Sequence, residues 1–330
     1  MSTKGNSLPT LIDYAKRLDP DGKISPIAEI LSQENEILMD CPFYEANMET
    51  GHRETIRTGL PDVYWRMFNK GVPISKSRTQ QVTDTIGMLE ARSHIDIELA
   101  ALNGNSAAWR FSEETPFLEA MSQEAASTIF YGNENVTPEK FTGLSPRYSD
   151  LSAESGENII DAGGTTGNLT SIWLICWDQQ TVNMRYPKGQ GNSYGLQSRD
   201  LGEESVQDDS GNYFQALRTL YTMKCGLSLK DWRYVVRIAN IPVDTLADDG
   251  ASADLWNFLI KAMHQLYSIK KGKCYFYMNR TVGQYLDLQS FNKQNIQLTQ
   301  QEVDGEIIQK FRKVAFRTCD ALLNTEQRVV

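Results

Sequence analysis

The sequence predicts an α+β protein in which buried strands are flanked by amphipathic helices. Three observations lead there. Residues 171–177 (SIWLICW) form an unbroken apolar run, the pattern of a strand covered on both faces. Tyr221, Met223, Cys225, Leu227 and Leu229 alternate with polar or small residues, the period of a strand. Residues 253–270 carry Leu255, Phe258, Leu259, Ala262, Met263 and Leu266 at three- and four-residue spacings, the stripe of a helix packed on a core.

In chain order, residues 1–45 suggest short helical pieces, through Leu8, Leu11, Ile12, Tyr14 and Ala15, then Ile24, Ile27, Ile30 and Leu31. Residues 52–82 differ in kind. They hold six basic residues, Arg53, Arg57, Arg66, Lys70, Lys76 and Arg78, against two acids, Glu54 and Asp62. Val63, Tyr64, Trp65, Met67, Phe68 and Ile74 are too apolar for a solvated linker, yet the stretch is too polar for a core. Turn signals at 58–61 (TGLP) and 70–73 (KGVP), with VYWRMF and SRTQQVTDTI as strand-like runs, predict a long open β-hairpin. A two-stranded ribbon is marginal in water, so it needs a surface to pack on.

Residues 91–104 read as helical through Ile95, Ile97, Leu99 and Leu102, with Gly104 near the end. A clearer helix covers 116–131, with Thr115 as N-cap, Pro116 at the first position, an apolar face of Phe117, Met121, Ala125 and Ile129, and Gly132-Asn133 as its stop. After a Pro/Gly/Ser-rich connection, strands dominate. Trp232, Tyr234, Val236 and Ile238 predict a second strand paired with 221–229 across a turn at Lys230-Asp231. Ser252 can cap the 253–270 helix, and Lys270, Lys271 and Gly272 suit its end. KCYFYMN (273–279) reads as a strand, and the chain closes in a strand and a turn.

With 40% apolar and 23% charged residues and a net charge of −9, the composition is that of an ordinary globular protein. No apolar run reaches the roughly 20 residues a bilayer-spanning helix needs, and no signal peptide is visible, so no membrane partner is expected. The acidity argues against a general nucleic-acid binder. Charge is uneven, however: residues 1–50 hold nine acids and four bases, beside the basic 52–82. Such a split lets one part of a chain meet another part of a neighbouring copy. Five scattered cysteines without a CxxC read as buried reduced thiols.

Catalytic, cofactor and metal candidates are absent from this reading. His52, His94 and His264 form no cluster, and His264 falls on the polar side of its helix. DAGGTTGNLTS (161–171) lacks the Lys-Ser/Thr pair of a phosphate loop and precedes a strand, so it reads as a turn. YPKGQGNSYGL (186–196) reads as a loop. The acid pairs Glu113-Glu114, Glu203-Glu204, Asp208-Asp209 and Asp248-Asp249 lack the alternating ligand spacing of a calcium loop. That leaves the basic hairpin, readable as a nucleic-acid ribbon, as an arm across another subunit, or as a plain surface ribbon. The arm reading is favoured, because an isolated two-stranded ribbon needs something to pack on and the acidic N-terminal region of a neighbour is a candidate surface.

The order of FYGN, GLSPRY, a Gly-rich turn into TSIWLICW, YPKG, KCGLSLKDWRYVVRIANI and RTCDALLNTEQRVV resembles the major capsid proteins of tailed bacteriophages with the Hong Kong 97-type fold. The likeness spans nearly the whole chain, and the order of the motifs carries it. It implies an N-arm at 1–45 and an extended E-loop at 46–90. It implies a peripheral domain at 91–159, with its spine helix near 116–131, an axial domain with mixed sheet and helices at 160–299, and peripheral C-terminal strands at 300–330. Arg53, Arg57, Trp65, Arg66, Lys70, Lys76 and Arg78 would make intersubunit contacts. The implied function is a coat protein that self-assembles as pentamers and hexamers into an icosahedral head around double-stranded DNA. Scaffolding, portal and decoration proteins would be partners, and assembly would take place in the host cytoplasm. No additional N-terminal domain is visible, which points to a separate scaffolding protein. No residue pair marks a covalent cross-link. An encapsulin-type compartment holding cargo enzymes shares the fold, and the long hairpin and the C-terminal run argue against it. An unrelated α/β enzyme would need the catalytic constellation that the sequence lacks.

Overall fold

A computed structural model of the chain describes residues 32–104, 106–165, 167–190, 195–207, 211–246, 254–292, 298–303 and 306–330. The helical pieces expected at 8–31 and the Ser252 cap lie outside these residues. In chain order the elements are α1 (Ile37–Asp40), β1 (Phe43–Glu45), β2 (Gly51–Gly59), β3 (Arg78–Thr85), β4 (Gly87–Asp96), α2 (Ile97–Ala101), α3 (Ser106–Tyr131), β5 (Ile159–Asp161), β6 (Leu169–Trp177), β7 (Val182–Tyr186), β8 (Leu196–Gln207), β9 (Tyr213–Leu229), β10 (Val235–Pro242), α4 (Leu255–Gln265), β11 (Lys273–Met278), α5 (Arg280–Asn292), β12 (Leu298–Val303), β13 (Glu306–Phe311) and β14 (Val314–Thr318).

The apolar run lies in β6, where all nine residues are buried. The strand is covered on both faces because its alternate side chains feed two cores. Trp173, Ile175 and Trp177 join Ala126, Ile129 and Phe130 of α3, Tyr148 and Leu322. Ile172, Leu174 and Cys176 join Leu255, Leu259, Ala262 and Met263 of α4, and Val282 and Leu286 of α5. Antiparallel partners β10 and β11 flank β6. The sheet continues along β12-β13-β14-β11-β6-β7-β9-β4. It does not stop at the boundary expected between 159 and 160. β9 pairs with β7 on one side and runs on as a long ribbon between β4 and β8.

The long helix is longer than expected. α3 begins at Ser106, so Pro116 lies inside it and Thr115 is not its cap. With 26 residues it is about 39 Å long. The turns before Pro116 are held by tertiary contacts that outweigh the lost backbone hydrogen bond. Trp109 is fully buried with Ile95, Leu99 and Ala100. Arg110 bonds Asp200 (3.1 Å) and the Thr219 hydroxyl (3.0 Å) on the ribbon beneath. The apolar face read at 117–129 packs as expected, with Phe117 stacked on Tyr221 at 6.1 Å.

Other elements depart from the sequence reading. Residues 91–96 are strand, because β4 pairs with β9 along its whole length. The helix begins only after Asp96, whose carboxylate accepts the Glu98 N–H. Residues 232–234 form a turn of 3₁₀ helix, and the strand starts at Val235. β9 and β10 do not pair: β9 pairs with the preceding strand β8 and with β4 and β7, and β10 pairs with β5 and β6. α4 is capped by Asp254, through Asn257, and stops at Gln265. α5 has no strong stripe and was not expected.

One buried ion pair ties the centre together. Arg237 of β10 and Glu326 of the C-terminal segment meet at 2.8 Å, with side chains only 3% and 4% exposed. Arg237 also donates to the Tyr148 carbonyl (2.7 Å) and the Ser171 hydroxyl (3.1 Å), and lies over the Trp173 ring. Glu326 accepts from the hydroxyls of Tyr131 and Ser171. Burial and the Glu326 charge push the Tyr131 hydroxyl above its ordinary pKa, so it stays a donor. Nearby, Asn240, at φ 59° on a bulge in β10, exchanges hydrogen bonds of 2.8 and 2.9 Å with the Val329 backbone.

Glu326→Leu should cost about 4 kcal/mol by stranding Arg237, and adding Arg237→Met should recover most of that, as read from urea melts of the free subunit. His94 accepts from the Arg218 guanidinium at 3.2 Å, and burial, then Arg218 and Arg92, hold its pKa below 6.5, against Glu204. The unfolded chain therefore binds the proton more readily, and stability falls as pH drops through 6.5. His94→Gln should flatten that slope in melts between pH 5 and 8.

Candidate intersubunit arm

The basic stretch forms an arm that leaves the body of the protein. Among the described residues, β2 and β3 pair with each other and with no other strand. The ladder runs from Gly51 opposite Thr85 to Gly59 opposite Arg78, with a bulge after Arg57. The strand expected at VYWRMF is not one. Residues 60–77 have no ladder partner, and β3 pairs instead with residues 51–59. A turn at the tip places Asn69 at φ 62° and bonds the Lys70 N–H to the Met67 carbonyl.

The tip is open on every side. Leu60, Val63, Tyr64, Trp65, Met67, Phe68, Val72 and Ile74 are all exposed. So large a set of exposed apolar side chains on one segment marks an interaction surface. Arg53, Arg57, Trp65, Arg66, Lys70, Lys76 and Arg78 are exposed too, spread along both strands and the tip. None of these basic residues forms an ion pair with another described residue. Arg53 bonds Thr83 across the ladder at 3.3 Å. The structure places the seven on one arm without bringing them together into a cluster.

The root is the opposite: buried, polar and pinned. His52 accepts the Asn47 N–H at 3.2 Å on Nδ1, and its Nε2 stands 2.8 Å from Glu54. The same Glu54 oxygen meets Arg185 (3.3 Å) and Lys230 (3.5 Å). Burial lowers the Arg185 pKa, with Glu54 and then Asp84 opposing. On the other strand, Asp84 meets Arg147 at 2.8 Å and the Thr85 hydroxyl donates to Glu134. Gly226 of β9 lets the chain pass; a Cβ there would stand 2.4 Å from the Thr85 carbonyl oxygen.

Sequence reasoning missed this root. Asp84, Arg147, Arg185, Gly226 and Lys230 come from distant segments, and only the tertiary fold brings them together. One local signal existed: His52 and Glu54, two apart on a strand, share a face. His264 is exposed, as its helix position implied. The acid pairs behave variously. Glu114 accepts from Thr219 (2.7 Å) and Glu204 pairs with Arg218, while 208–209 and 248–249 lie outside the described residues. Among the described residues no group of three or more His, Cys, Asp or Glu is placed to hold a metal ion. No described helix is long and apolar enough to cross a membrane.

The family described as "Major capsid protein GP7" matches residues 19–330. A chain in the structure of bacteriophage Epsilon15 is similar at 34% identity and TM-score 0.76, covering 100% of this chain and 99% of that one. A chain of the bacteriophage JBD30 capsid shares the fold at TM-score 0.50 and 10% identity, covering 89% and 92%. No curated protein sequence matches.

Replacing Glu54 by Ala should leave Arg185 without its carboxylate and cost the subunit about 2 kcal/mol. A urea melt of the unassembled protein would read this, and limited proteolysis should cut earlier between residues 59 and 78.

Proposed function

We propose, from the premise that this chain belongs to the major capsid protein GP7 family and is a coat protein of an icosahedral phage head, that its residue 46–90 arm lies across a neighbouring copy in the shell. The observation that carries the reading is the contrast within the arm: a root locked by buried charges and a tip whose large apolar side chains all face outward. The tip has nothing of its own chain to cover it among the described residues. Burying a side chain such as Trp65 or Phe68 against a neighbour is worth about 1.5–3 kcal/mol each. The basic residues between them steer the arm toward an acidic surface and set its register. Many such contacts, each modest, sum to a closed shell.

The remaining assignments belong to the same reading. Residues 1–45 form the N-arm, 91–159 and 300–330 the peripheral domain with α3 as its spine, and 160–299 the axial domain. The shell is a container for double-stranded DNA, with scaffolding, portal and decoration proteins as partners and assembly in the host cytoplasm. The acidic chain, at −9, suits a container that holds DNA without reading it. The function involves no catalytic step.

Arg57→Glu with Arg66→Glu should leave the subunit folded, with an unchanged melt, yet abolish or deform shells in electron micrographs. Normal shells from the double variant would show that the arm's charge plays no part.

A further inference from the structure

Cys176 and Cys274 stand directly opposite each other in the antiparallel β6–β11 ladder. Their Sγ atoms are 2.7 Å apart. Cross-strand partners of this kind have Cα atoms about 4.5–5.5 Å apart, inside the 4.4–6.8 Å span of a disulfide. The other three cysteines lie elsewhere: Cys41, Cys225 and Cys319 are buried in the α3-side core, whereas Cys176 and Cys274 sit together in the α4-side core. The sequence alone pointed to five unconnected thiols, because 98 residues separate this pair and only the strand register joins them.

We propose that Cys176 and Cys274 are a covalent modification site, closing to an intrachain disulfide when the protein meets a small disulfide oxidant such as oxidised glutathione. The pair lies at one end of its ladder, beside the turn that leads from α4 into β11. The Ile269 and Gly272 carbonyls stand 3.5 and 3.9 Å from the Cys274 sulfur, and the Ser268 carbonyl 4.0 Å from that of Cys176. Cys176 is fully buried and Cys274 only 8% exposed, so the oxidant would have to reach them through displacement of this short turn at the edge of the α4-side core. Donation from the Cys274 S–H, and the charge of Lys271, favour the Cys176 thiolate, while burial opposes it.

The chemistry balances. The Cys176 thiolate attacks the oxidant, forming a mixed disulfide and releasing one small thiol. Cys274, losing its proton, attacks the Cys176 sulfur and releases the second. The two protein sulfurs give up two electrons, and the oxidant's S–S bond becomes two thiols. The product ties β6 to β11, two neighbouring strands of the main sheet. A cytoplasm keeps such a pair reduced, whereas an extracellular medium favours the bond. This inference stands independently of the arm.

The test uses the full chain, purified reduced and then incubated with oxidised glutathione. Free thiols are alkylated under denaturing conditions and the products are mapped by mass spectrometry without reduction. The expected result is three alkylated cysteines, a linked peptide pair containing Cys176 and Cys274, and a melting temperature raised by about 5 °C. Reductant should reverse all three, and Cys274→Ser should abolish the linked peptide. Five alkylated cysteines, a bond between any other pair or between chains, or glutathione left attached at either position would overturn the proposal.

Discussion

The rest of the structure depends on the neutralisation of Arg237. A guanidinium taken out of water is tolerable only with a carboxylate at hand and its remaining N–H groups bonded. Here Glu326, the Tyr148 carbonyl and the Ser171 hydroxyl meet that need. Those partners come from the C-terminal segment, the turn after α3 and the central strand. The end of α3 joins through Tyr131. Satisfying one charge therefore fixes the relative positions of five segments. The tail cannot leave without exposing an unpaired charge to an apolar core, so it behaves as part of the sheet although only an isolated bridge, Leu169 to Glu326, pairs it there.

The arm applies the same physics at its root and abandons it at its tip. Glu54 with Arg185 and Asp84 with Arg147 hold the two strands where they leave the body. Beyond Gly59, no ladder and no core hold residues 60–77. An isolated subunit thus holds the arm by its root and leaves the tip uncovered. In the proposed shell contact, the body would set the geometry and the tip would meet the neighbour's surface.

What could be read from sequence was what depends on short-range periodicity. β6 announced itself as an unbroken apolar run because both its faces are buried, and the stripe of α4 was visible for the same kind of reason. The resemblance of ordered motifs supplied the family. The errors arose where tertiary contacts overrode local signals. Pro116 looked like a helix start, but buried Trp109 and the Arg110 contacts help carry α3 back to Ser106, nearly three turns further toward its N-terminus. β9 and β10 looked like a hairpin, yet β9 pairs with the strand before it, β8, and with β4 and β7, while β10 pairs with β5 and β6. At the candidate site, the exposed basic and aromatic residues were legible because their composition is anomalous for both core and linker. The buried ion pairs of the root were not, because their members are ordinary charged residues until the fold assembles them.

The interleaving of charge with apolar bulk at the tip has a consequence for the protein before any shell exists. Val63, Trp65, Phe68 and Ile74 would make two free subunits adhesive to each other in solution. Arg66, Lys70 and Lys76 sit among them, so two tips approaching each other meet like charge at close range. A tip approaching the net-negative body of another subunit meets no such barrier. In the proposed arm contact, the same side chains would favour the body of a neighbour over another tip.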